Sequence, residues 1–226
     1  FAQSLGYAGF QALKIGLAED MVSPMLLVHE DVSPDDDLAS AVRKAMTAGM
    51  RSLEDTLRIL EMPVLEAAIQ ALCNARQIEL FASGNSIPPA MDLNFRLTKI
   101  GLRSRFSIDP TMQEMYASLA SPEDVAVGIS HTGSSIDTVH ALELAKQRGA
   151  RTICITNHSD SPLTRYGDLC LFTSTRVSHF REEEMASNLA TLALTEALYV
   201  GICVRRADAS AQAVSKTMRA TQHRKY

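Results

Sequence analysis

The clearest pattern along the chain is an apolar stretch that runs into a cluster of small polar residues. Residues 125–129 are apolar or glycine, and residues 130–135 read Ser-His-Thr-Gly-Ser-Ser. After them, apolar side chains recur at helical spacing, at Ile136, Val139, Leu142 and Ala145. A short apolar run is typical of a buried strand, and the later spacing is typical of a helix with one buried face. The pattern predicts a strand, a polar loop and a helix.

The same order of elements occurs earlier in the chain. Residues 78–81 predict a strand, and residues 82–86, Ala-Ser-Gly-Asn-Ser, predict a small polar loop. Pro88 and Pro89 suit the first turn of a helix that continues to Ile100. Ligands of open parallel sheets bind at the carboxyl ends of the strands, where the winding reverses. We therefore expect the two loops to lie together and to share one ligand.

Both loops have the chemistry of an anion site. A helix N-terminus presents free backbone N–H groups and the positive end of the helix dipole. In the second loop, the hydroxyls of Ser130, Thr132, Ser134 and Ser135 add short hydrogen-bond donors. Each serine taken alone is equally well explained as a helix cap. The two loops taken together favour a phosphate site.

Helices are predicted on both sides of the alternating region. Residues 35–60 are rich in helix-forming residues without an internal proline, and Pro63 begins a second helix. Three further strands are predicted at residues 102–108, 152–156 and 169–172, with a helix around residues 112–119. The fold class is therefore α/β, with about five parallel strands.

The last third of the chain predicts a long, one-sided helix. Glu182, Glu183 and Glu184 place acidic side chains at its start, as the helix dipole favours, and Arg205 and Arg206 end it. Together with residues 35–60, this helix has more apolar surface than is needed to cover a small sheet. Self-association as a homodimer or tetramer would explain that excess, and a buried core helix would explain the same pattern.

Composition excludes several classes of protein. The 226 residues are 46% hydrophobic with a net charge of −4, as in a globular protein in solution. No apolar run approaches the roughly 18 residues that span a bilayer, and the start has no secretion signal, so we expect a cytoplasmic protein without a membrane partner. The cysteines are widely spaced without a CxxC pair, which favours reduced core thiols. His131, His158 and His179 match no metal-ligand spacing, and we expect neither metal nor cofactor.

The loops carry a resemblance to a known family. Ser-Gly-Asn-Ser at residues 83–86, Ser-His-Thr-Gly-Ser-Ser at residues 130–135 and a further polar turn at residues 157–159 resemble the sugar isomerase (SIS) domain of phosphosugar-binding proteins. The resemblance covers residues 35–206. It implies a three-layer α/β/α sandwich with a five-stranded, flavodoxin-like parallel sheet and long flanking helices. We place the SIS domain with its additional helices at residues 35–226.

The N-terminal residues indicate which group of proteins with this domain the chain resembles. Residues 1–10, Phe-Ala-Gln-Ser-Leu-Gly-Tyr-Ala-Gly-Phe, with Leu13, Lys14 and Leu17, are similar to the tail of the helix-turn-helix domain in RpiR-type bacterial transcriptional regulators. We therefore expect residues 1–20 to be the C-terminal remnant of that domain, with DNA bound through parts missing from this chain. The acidic charge balance and the lack of a basic stripe indicate that these residues alone do not bind DNA tightly.

The resemblance also implies which residues hold a sugar phosphate. In the first loop, the phosphate contact corresponds to Ser86, with Ser83 and Asn85 beside it. In the second loop, it implies Ser130, Thr132 and Ser135, with Ser134 as a substitute. The backbone N–H groups of His131 and Gly133 complete the cradle, and Glu184 completes the expected set of contacts.

Two functions are compatible with this fold. The resemblance favours the effector-sensing and oligomerising domain of a regulator that controls carbohydrate metabolism genes, with no enzymatic activity. A sugar-phosphate isomerase or lyase is the alternative, because His131, His179 and the three glutamates from Glu182 to Glu184 could supply a general base. Three adjacent glutamates at a helix start are, however, commonly a solvated turn. Regulators of the family often carry Ser-Arg where this chain has Ser187 and Asn188, so the sugar end of the site departs from the family pattern.

Overall fold

The computed structural model describes residues 32–33, 35–174 and 185–224. The expected helix-turn-helix remnant at residues 1–20 lies outside this part of the chain. Two helices lead into the sheet, α1 (Leu38–Ile59) and α2 (Met62–Asn74). Asp37 caps α1 by accepting a hydrogen bond of 2.6 Å from the N–H of Ser40, and Pro63 lies in the first turn of α2. The prediction of a helical lead-in is confirmed.

Five parallel strands form the sheet, as predicted. They are β1 (Ile78–Ala82), β2 (Ser104–Phe106), β3 (Val125–Ile129), β4 (Arg151–Thr156) and β5 (Leu169–Phe172). Their spatial order is β2-β1-β3-β4-β5. Ile78 pairs with Val125 and Ala82 with Ile129, so β1 and β3 end at the same level.

Helices connect and follow the strands. The connecting helices are α3 (Ile87–Lys99), α4 (Pro110–Ser118) and α5 (Ile136–Gln147), and α6 (Met185–Arg205) and α7 (Ala207–Thr221) follow β5. Short 3-10 turns occupy Gly84–Ser86, Leu163–Tyr166 and Gln222–Arg224. Within the described residues, no helix is both long and apolar enough to cross a bilayer.

The helices cover both faces of the sheet and make a three-layer α/β/α sandwich. One core joins α2, α3 and α6 to the face that carries Leu80, Val127 and Ile155. A second core joins α4 and α5 to the opposite face, around Phe81 and Cys154. Side chains alternate between the faces along each strand, and because helices cover both faces, most residues of the inner strands β1, β3 and β4 are apolar. Glu79 on β1 is a buried exception, and it pairs with Arg105 on β2.

The second strand is shorter than expected. The prediction of a strand over residues 102–108 is wrong at both ends, since β2 covers only three residues at the sheet edge. Leu102 instead donates its N–H to the carbonyl of Leu97, which closes the end of α3. At the other end, Asp109 caps α4 by accepting from the N–H of Thr111, so that helix begins two residues before the predicted position.

The cysteines are free thiols, as expected, but they are not uniformly buried. Cys154 is fully buried in the core, whereas Cys73, Cys170 and Cys203 are only partly covered. Among the described residues, no group of three or more His, Cys, Asp or Glu side chains is arranged to hold a metal ion.

Candidate functional site

The two polar loops lie side by side at the point where the sheet changes winding direction. The first loop follows β1 and leads into α3 on one face, and the second follows β3 and leads into α5 on the other face. Because β1 and β3 are hydrogen-bonded neighbours that end level, the N-termini of α3 and α5 lie at the same end of the sheet, one on each face. Such a switch point is where ligands of doubly wound α/β proteins bind.

The first loop turns sharply and presents its serines without using them as helix caps. Gly84 adopts a left-handed conformation with φ of 54°, and the N–H of Ser86 bonds to the carbonyl of Ser83 at 3.1 Å. Ser86 is buried at the N-cap position of α3, yet its side chain makes no capping hydrogen bond. Asn85 is exposed on the turn. The helix-cap explanation therefore does not account for Ser86.

A buried glutamine fixes the start of this loop. Gln113 on α4 accepts a 3.0 Å hydrogen bond from the N–H of Ala82 and donates 2.8 Å bonds to the carbonyls of Ala82 and Ser107. It is 1% exposed. The last residue of β1 is thereby held on both of its backbone polar groups, and the loop leaves the sheet from a fixed position.

The second loop is closed by its own hydroxyls. The Oγ atoms of Ser130 and Ser135 lie 3.0 Å apart, and the N–H of Gly133 bonds to the carbonyl of Ser130 at 3.1 Å. Ser135 occupies the N-cap position of α5 without a side-chain capping bond. The Oγ1 of Thr132 accepts from the N–H of Ser134, which is exposed. Here too the serine at the helix start is not used as a cap.

Position 133 has room only for glycine. Its φ is 64°, and a Cβ atom placed there would lie 2.1 Å from Ser161 Oγ and 3.0 Å from Thr156 Oγ1. Its carbonyl accepts a 2.9 Å hydrogen bond from the N–H of Leu163. The chain after β4 thus lies directly against the second loop, and any side chain larger than hydrogen would push the two apart.

The polar turn after β4 supports the second loop from the other side. The carbonyl of His131 accepts 3.0 Å hydrogen bonds from the N–H of Asn157 and from the hydroxyl of Thr156. The rings of His131 and His158 are edge to face, with centroids 5.9 Å apart. Burial, and secondarily the charge of His158, lowers the pKa of His131 to about 4. His131 is therefore neutral at neutral pH.

The positive charge at the two loops comes from the backbone. Neither loop contains lysine or arginine, so the positive potential is that of two helix N-termini and their N–H groups. Hydroxyls from Ser86, Ser130 and Ser135 lie at these N-termini. Backbone N–H groups surrounded by hydroxyls suit a multiply charged oxyanion such as a phosphate monoester.

The structure brings together the residues predicted on the two loops, and one contact joins the loops directly. Ser83 Oγ lies 3.4 Å from Oγ1 of Thr138, a buried residue in the first turn of α5. Glu184 lies outside the described residues, as do His179, Glu182 and Glu183.

The sequence interpretation missed the residues that support the loops. Gln113, Thr138 and Ser161 are all buried polar residues against the loops. A weak signal existed for Thr138, which lies one helical turn after Ser135 on a face otherwise occupied by Leu142 and Ala145. No local pattern distinguishes Gln113 or Ser161.

Comparisons with known proteins agree with this architecture. The family described as "SIS domain" matches residues 71–201. An HTH-type transcriptional regulator from Thermotoga maritima is 32% identical over 206 residues, which are 91% of this chain and 74% of that protein.

Two solved structures share the fold. The sugar isomerase domain of an RpiR transcription factor from Sphaerobacter thermophilus is 27% identical with a TM-score of 0.72, over 79% of this chain and 98% of that one. The Vibrio vulnificus NanR protein, solved with ManNAc-6P, is 22% identical with a TM-score of 0.80, over 99% of this chain and 79% of that one. The family match over more than half of the sequence and the identity to the Thermotoga regulator establish that the chain belongs to the SIS domain family, among HTH-type transcriptional regulators.

Proposed function

We propose that the described domain binds a phosphorylated sugar in the crevice between the β1 and β3 loops, as the effector-sensing part of a transcriptional regulator. The observation that carries the proposal is the pairing, at one switch point, of two helix N-termini whose N-cap serines, Ser86 and Ser135, make no capping hydrogen bond. The NanR protein of the same fold was solved with a sugar phosphate, which supports the ligand class. DNA would be contacted by a helix-turn-helix domain, and the protein would act in the cytoplasm.

Ser86, Ser130, Thr132 and Ser135, with the N–H group of His131, are the proposed phosphate contacts, and Ser134 is a substitute. The N–H of Gly133, which the resemblance also implied, is already bonded to the carbonyl of Ser130. Ser83 and Asn85 lie beside Ser86 on the first loop. Glu184 is proposed to contact the sugar.

The expected affinity is that of a metabolite sensor. Each charge-assisted hydrogen bond contributes about 1.5 to 3 kcal/mol before the cost of ordering the ligand. Four or five such bonds, less that cost, correspond to a dissociation constant of about micromolar to millimolar. A regulator needs only that the ligand favour one arrangement of subunits by about 1 to 3 kcal/mol.

Self-association through α1 is part of the proposal. One side of α1 exposes a stripe of large apolar residues, Leu38, Val42, Met46, Met50 and Leu57. The side of α1 next to this stripe is buried, and there Ser52 and Thr56 bond the backbone of Ser174, just beyond β5. A helix that is held to its own domain along one side, with an exposed apolar stripe beside it, suits a homodimer or tetramer interface in which a second copy covers the stripe.

A thermal-shift and calorimetric screen tests the ligand. Phosphorylated hexoses, pentoses and sugar acids are compared with the same sugars lacking phosphate and with inorganic phosphate. We expect the strongest stabilisation with one or a few phosphorylated sugars, weaker binding of inorganic phosphate at the same loops, and none with the sugars that lack phosphate. Ser86→Ala and Ser130→Ala should each weaken binding about tenfold or more. Ser118→Ala, which changes a serine where α4 ends at the opposite edge of the sheet, should leave it unchanged. Equal binding by all three variants would refute the proposed site.

The absence of catalysis is tested with the same ligands. A stabilising sugar phosphate is incubated with the protein, and its phosphorus and proton NMR spectra are followed for isomerisation or cleavage. We expect no conversion. Turnover that is lost in Ser130→Ala would favour the isomerase or lyase alternative.

A further inference from the structure

Two cysteines face each other across neighbouring strands, on the side of the sheet covered by α5. Cys154 on β4 pairs directly with Cys170 on β5 in the parallel register. Directly paired residues of adjacent strands point to the same face. Neighbouring strands lie about 4.8 Å apart, which is within the range of about 4.4 to 6.8 Å that disulfide-bonded Cα atoms span. The backbone therefore already has the spacing that a bond between these residues needs.

The two sulfur atoms also converge on a single glycine. A Cβ atom placed on Gly167 would lie 2.8 Å from Cys154 Sγ and 3.1 Å from Cys170 Sγ. Because Gly167 has no side chain, there is room beside it for both thiols. The Sγ of Cys170 additionally lies 3.8 Å from the carbonyl oxygen of Gly167 and 3.9 Å from that of Thr164.

We propose that Cys154 and Cys170 are a redox-reactive pair, which a peroxide converts into a reversible intramolecular disulfide. In the first step, the Cys170 thiolate attacks one oxygen of hydrogen peroxide. The O–O bond breaks, Cys170 becomes a sulfenic acid, and the other oxygen leaves as hydroxide, which takes a proton to form water. In the second step, Cys154 sulfur attacks the Cys170 sulfur, the S–O bond breaks, and a second water leaves. Two thiols lose two electrons and two protons, and the peroxide is reduced to two waters.

The environments of the two thiols assign these roles. Cys170 is partly exposed on an edge strand, whereas Cys154 is fully buried on the neighbouring inner strand. The hydrogen bond from Cys154 lowers the pKa of Cys170 to about 7, with a further contribution from the positive charge of Lys146. The same hydrogen bond, together with burial, raises the pKa of Cys154. The partly exposed residue is thus the one whose ionisation is favoured, and the buried cysteine is placed to resolve it.

The pair is connected to the second loop by one short segment, and this part of the inference rests on the proposed function. Cys170 contacts the carbonyl of Thr164 in the Leu163–Tyr166 turn. The N–H of Leu163 in that turn bonds to the carbonyl of Gly133. Closing the disulfide draws the sulfurs to about 2.05 Å and removes the thiol contacts with the turn. We expect the resulting shift to change the phosphate affinity of the loop.

Peptide mapping of the whole 226-residue chain tests the disulfide. The reduced protein is treated with stoichiometric hydrogen peroxide, remaining thiols are alkylated, and the protein is digested with trypsin. Cleavage after Arg151, Arg165 and Arg176 separates the two cysteines into peptides 152–165 and 166–176. We expect these peptides to be joined, and to separate after dithiothreitol. The Cys73→Ser/Cys203→Ser variant, which keeps only the pair, should give the same crosslink.

Single variants test the assignment of roles. Cys170→Ser should remove the crosslink and slow the loss of thiols by about tenfold or more, since the ionised sulfur is gone. Cys154→Ser should leave Cys170 as a sulfenic acid that a dimedone probe labels. Crosslinks through Cys73 or Cys203, crosslinks between chains, or oxidation of Cys170 beyond sulfenic acid without a crosslink in the wild-type protein would overturn the proposal. The wild-type map decides even if a variant does not fold.

Inorganic phosphate serves as the probe for the connection to the loop. Its dissociation constant, measured by calorimetry in the reduced and oxidised protein, should differ by at least about fivefold. An unchanged constant in protein with the mapped disulfide would overturn the connection. Failure of the reduced protein to bind phosphate would count against the proposed function instead. The disulfide itself would still be tested by the peptide map.

Discussion

The hydroxyl of Ser83 lies 3.4 Å from the hydroxyl of Thr138, so a side chain of the first loop contacts the helix that begins at the second loop. Thr138 is fully buried, and its position is fixed by the packing of α5 against the sheet. The separation of the two loops is therefore set by a contact within the protein before any ligand arrives, which lowers the ordering cost of binding.

Replacing the buried partner in this contact should weaken binding without touching the ligand. Thr138→Val keeps the shape of the side chain but removes its hydroxyl, and we expect a loss of about 1 kcal/mol, or about fivefold, in phosphate affinity. Thr98→Val is the matched control, because Thr98 forms a similar hydroxyl contact with Ser104 at 3.2 Å, away from the two loops. Equal affinities of the two variants, measured by calorimetry, would contradict the role of Thr138.

Gly133→Ala should disrupt the second loop. The left-handed conformation costs about 1 to 2 kcal/mol for alanine, and the overlap with Ser161 adds about 1 to 3 kcal/mol. The free energy of unfolding in urea should fall by their sum, and phosphate binding should be lost. Gly84→Ala separates the two causes, since its φ is also positive but no atom lies within 4 Å of the added Cβ. The unfolding free energy of Gly84→Ala should therefore fall only by the cost of the left-handed conformation, about 1 to 2 kcal/mol.

Relieving the overlap should recover part of the loss. In Gly133→Ala/Ser161→Gly, both Ser161 atoms nearest the new Cβ are absent. We expect this double variant to be more stable than the sum of the two single changes predicts. Strict additivity would show that the contact between these residues is not the cause.

His131 should make stability depend on pH. Burial lowers its pKa from 6.5 to about 4 in the folded protein, so the unfolded chain binds a proton there at a higher pH than the folded one. Stability is therefore complete above about pH 6.5 and is lost progressively as the pH falls towards 4. After allowance for partial exposure, the loss at about pH 5 is about 1 kcal/mol.

Urea unfolding at about pH 7.5 and pH 5 measures this effect. The difference in unfolding free energy between the two pH values should be about 1 kcal/mol smaller in His131→Gln than in the wild type. His223→Gln, at an exposed position, should keep the wild-type difference. If His131→Gln and the wild type lose stability equally, the histidine is not buried in its neutral form.

A charge in the α1 stripe should separate the subunits. Met46 is 67% exposed at the middle of the stripe, and a charge buried there against a second copy would lack a partner. Met46→Glu should lower the molar mass measured by light scattering to that of a monomer, with little change in thermal stability below the assembly concentration. Met115→Glu, at an exposed methionine on α4, should keep the wild-type mass. A monomeric wild-type chain would also refute the interface.

The strands and loops of the site were predictable because their signals are local. An apolar run identified β3, and a mostly apolar run, interrupted only by Glu79, identified β1; the polar residues after each run identified the loops. Their adjacency followed from the rule for parallel sheets, and the observed order places β1 beside β3. The length of the edge strand β2 was overestimated because Leu102 and Ile108 are apolar although neither belongs to the strand. Leu102 closes α3 and is buried there.

The support of the loops was not predictable, because it depends on contacts between residues distant in sequence. Gln113 reaches Ala82 from another element, and Ser161 meets Gly133 only after the chain has passed through α5 and β4. The opposed thiols of Cys154 and Cys170 likewise depend on strand register, which the spacing of cysteines along the chain does not reveal. Spacing alone suggested only inert core thiols.

The three hydrogen bonds of Gln113 hold the end of β1 in place, and none of them involves a residue that is proposed to recognise the ligand. Since the exit point of the first loop is anchored from α4, substitutions among Ser83, Asn85 and Ser86 need not disturb the sheet. The strength with which the first loop holds a phosphate can therefore be changed without unfolding the domain. For the engineer, these three positions are the place to begin when tuning how much effector such a sensor needs.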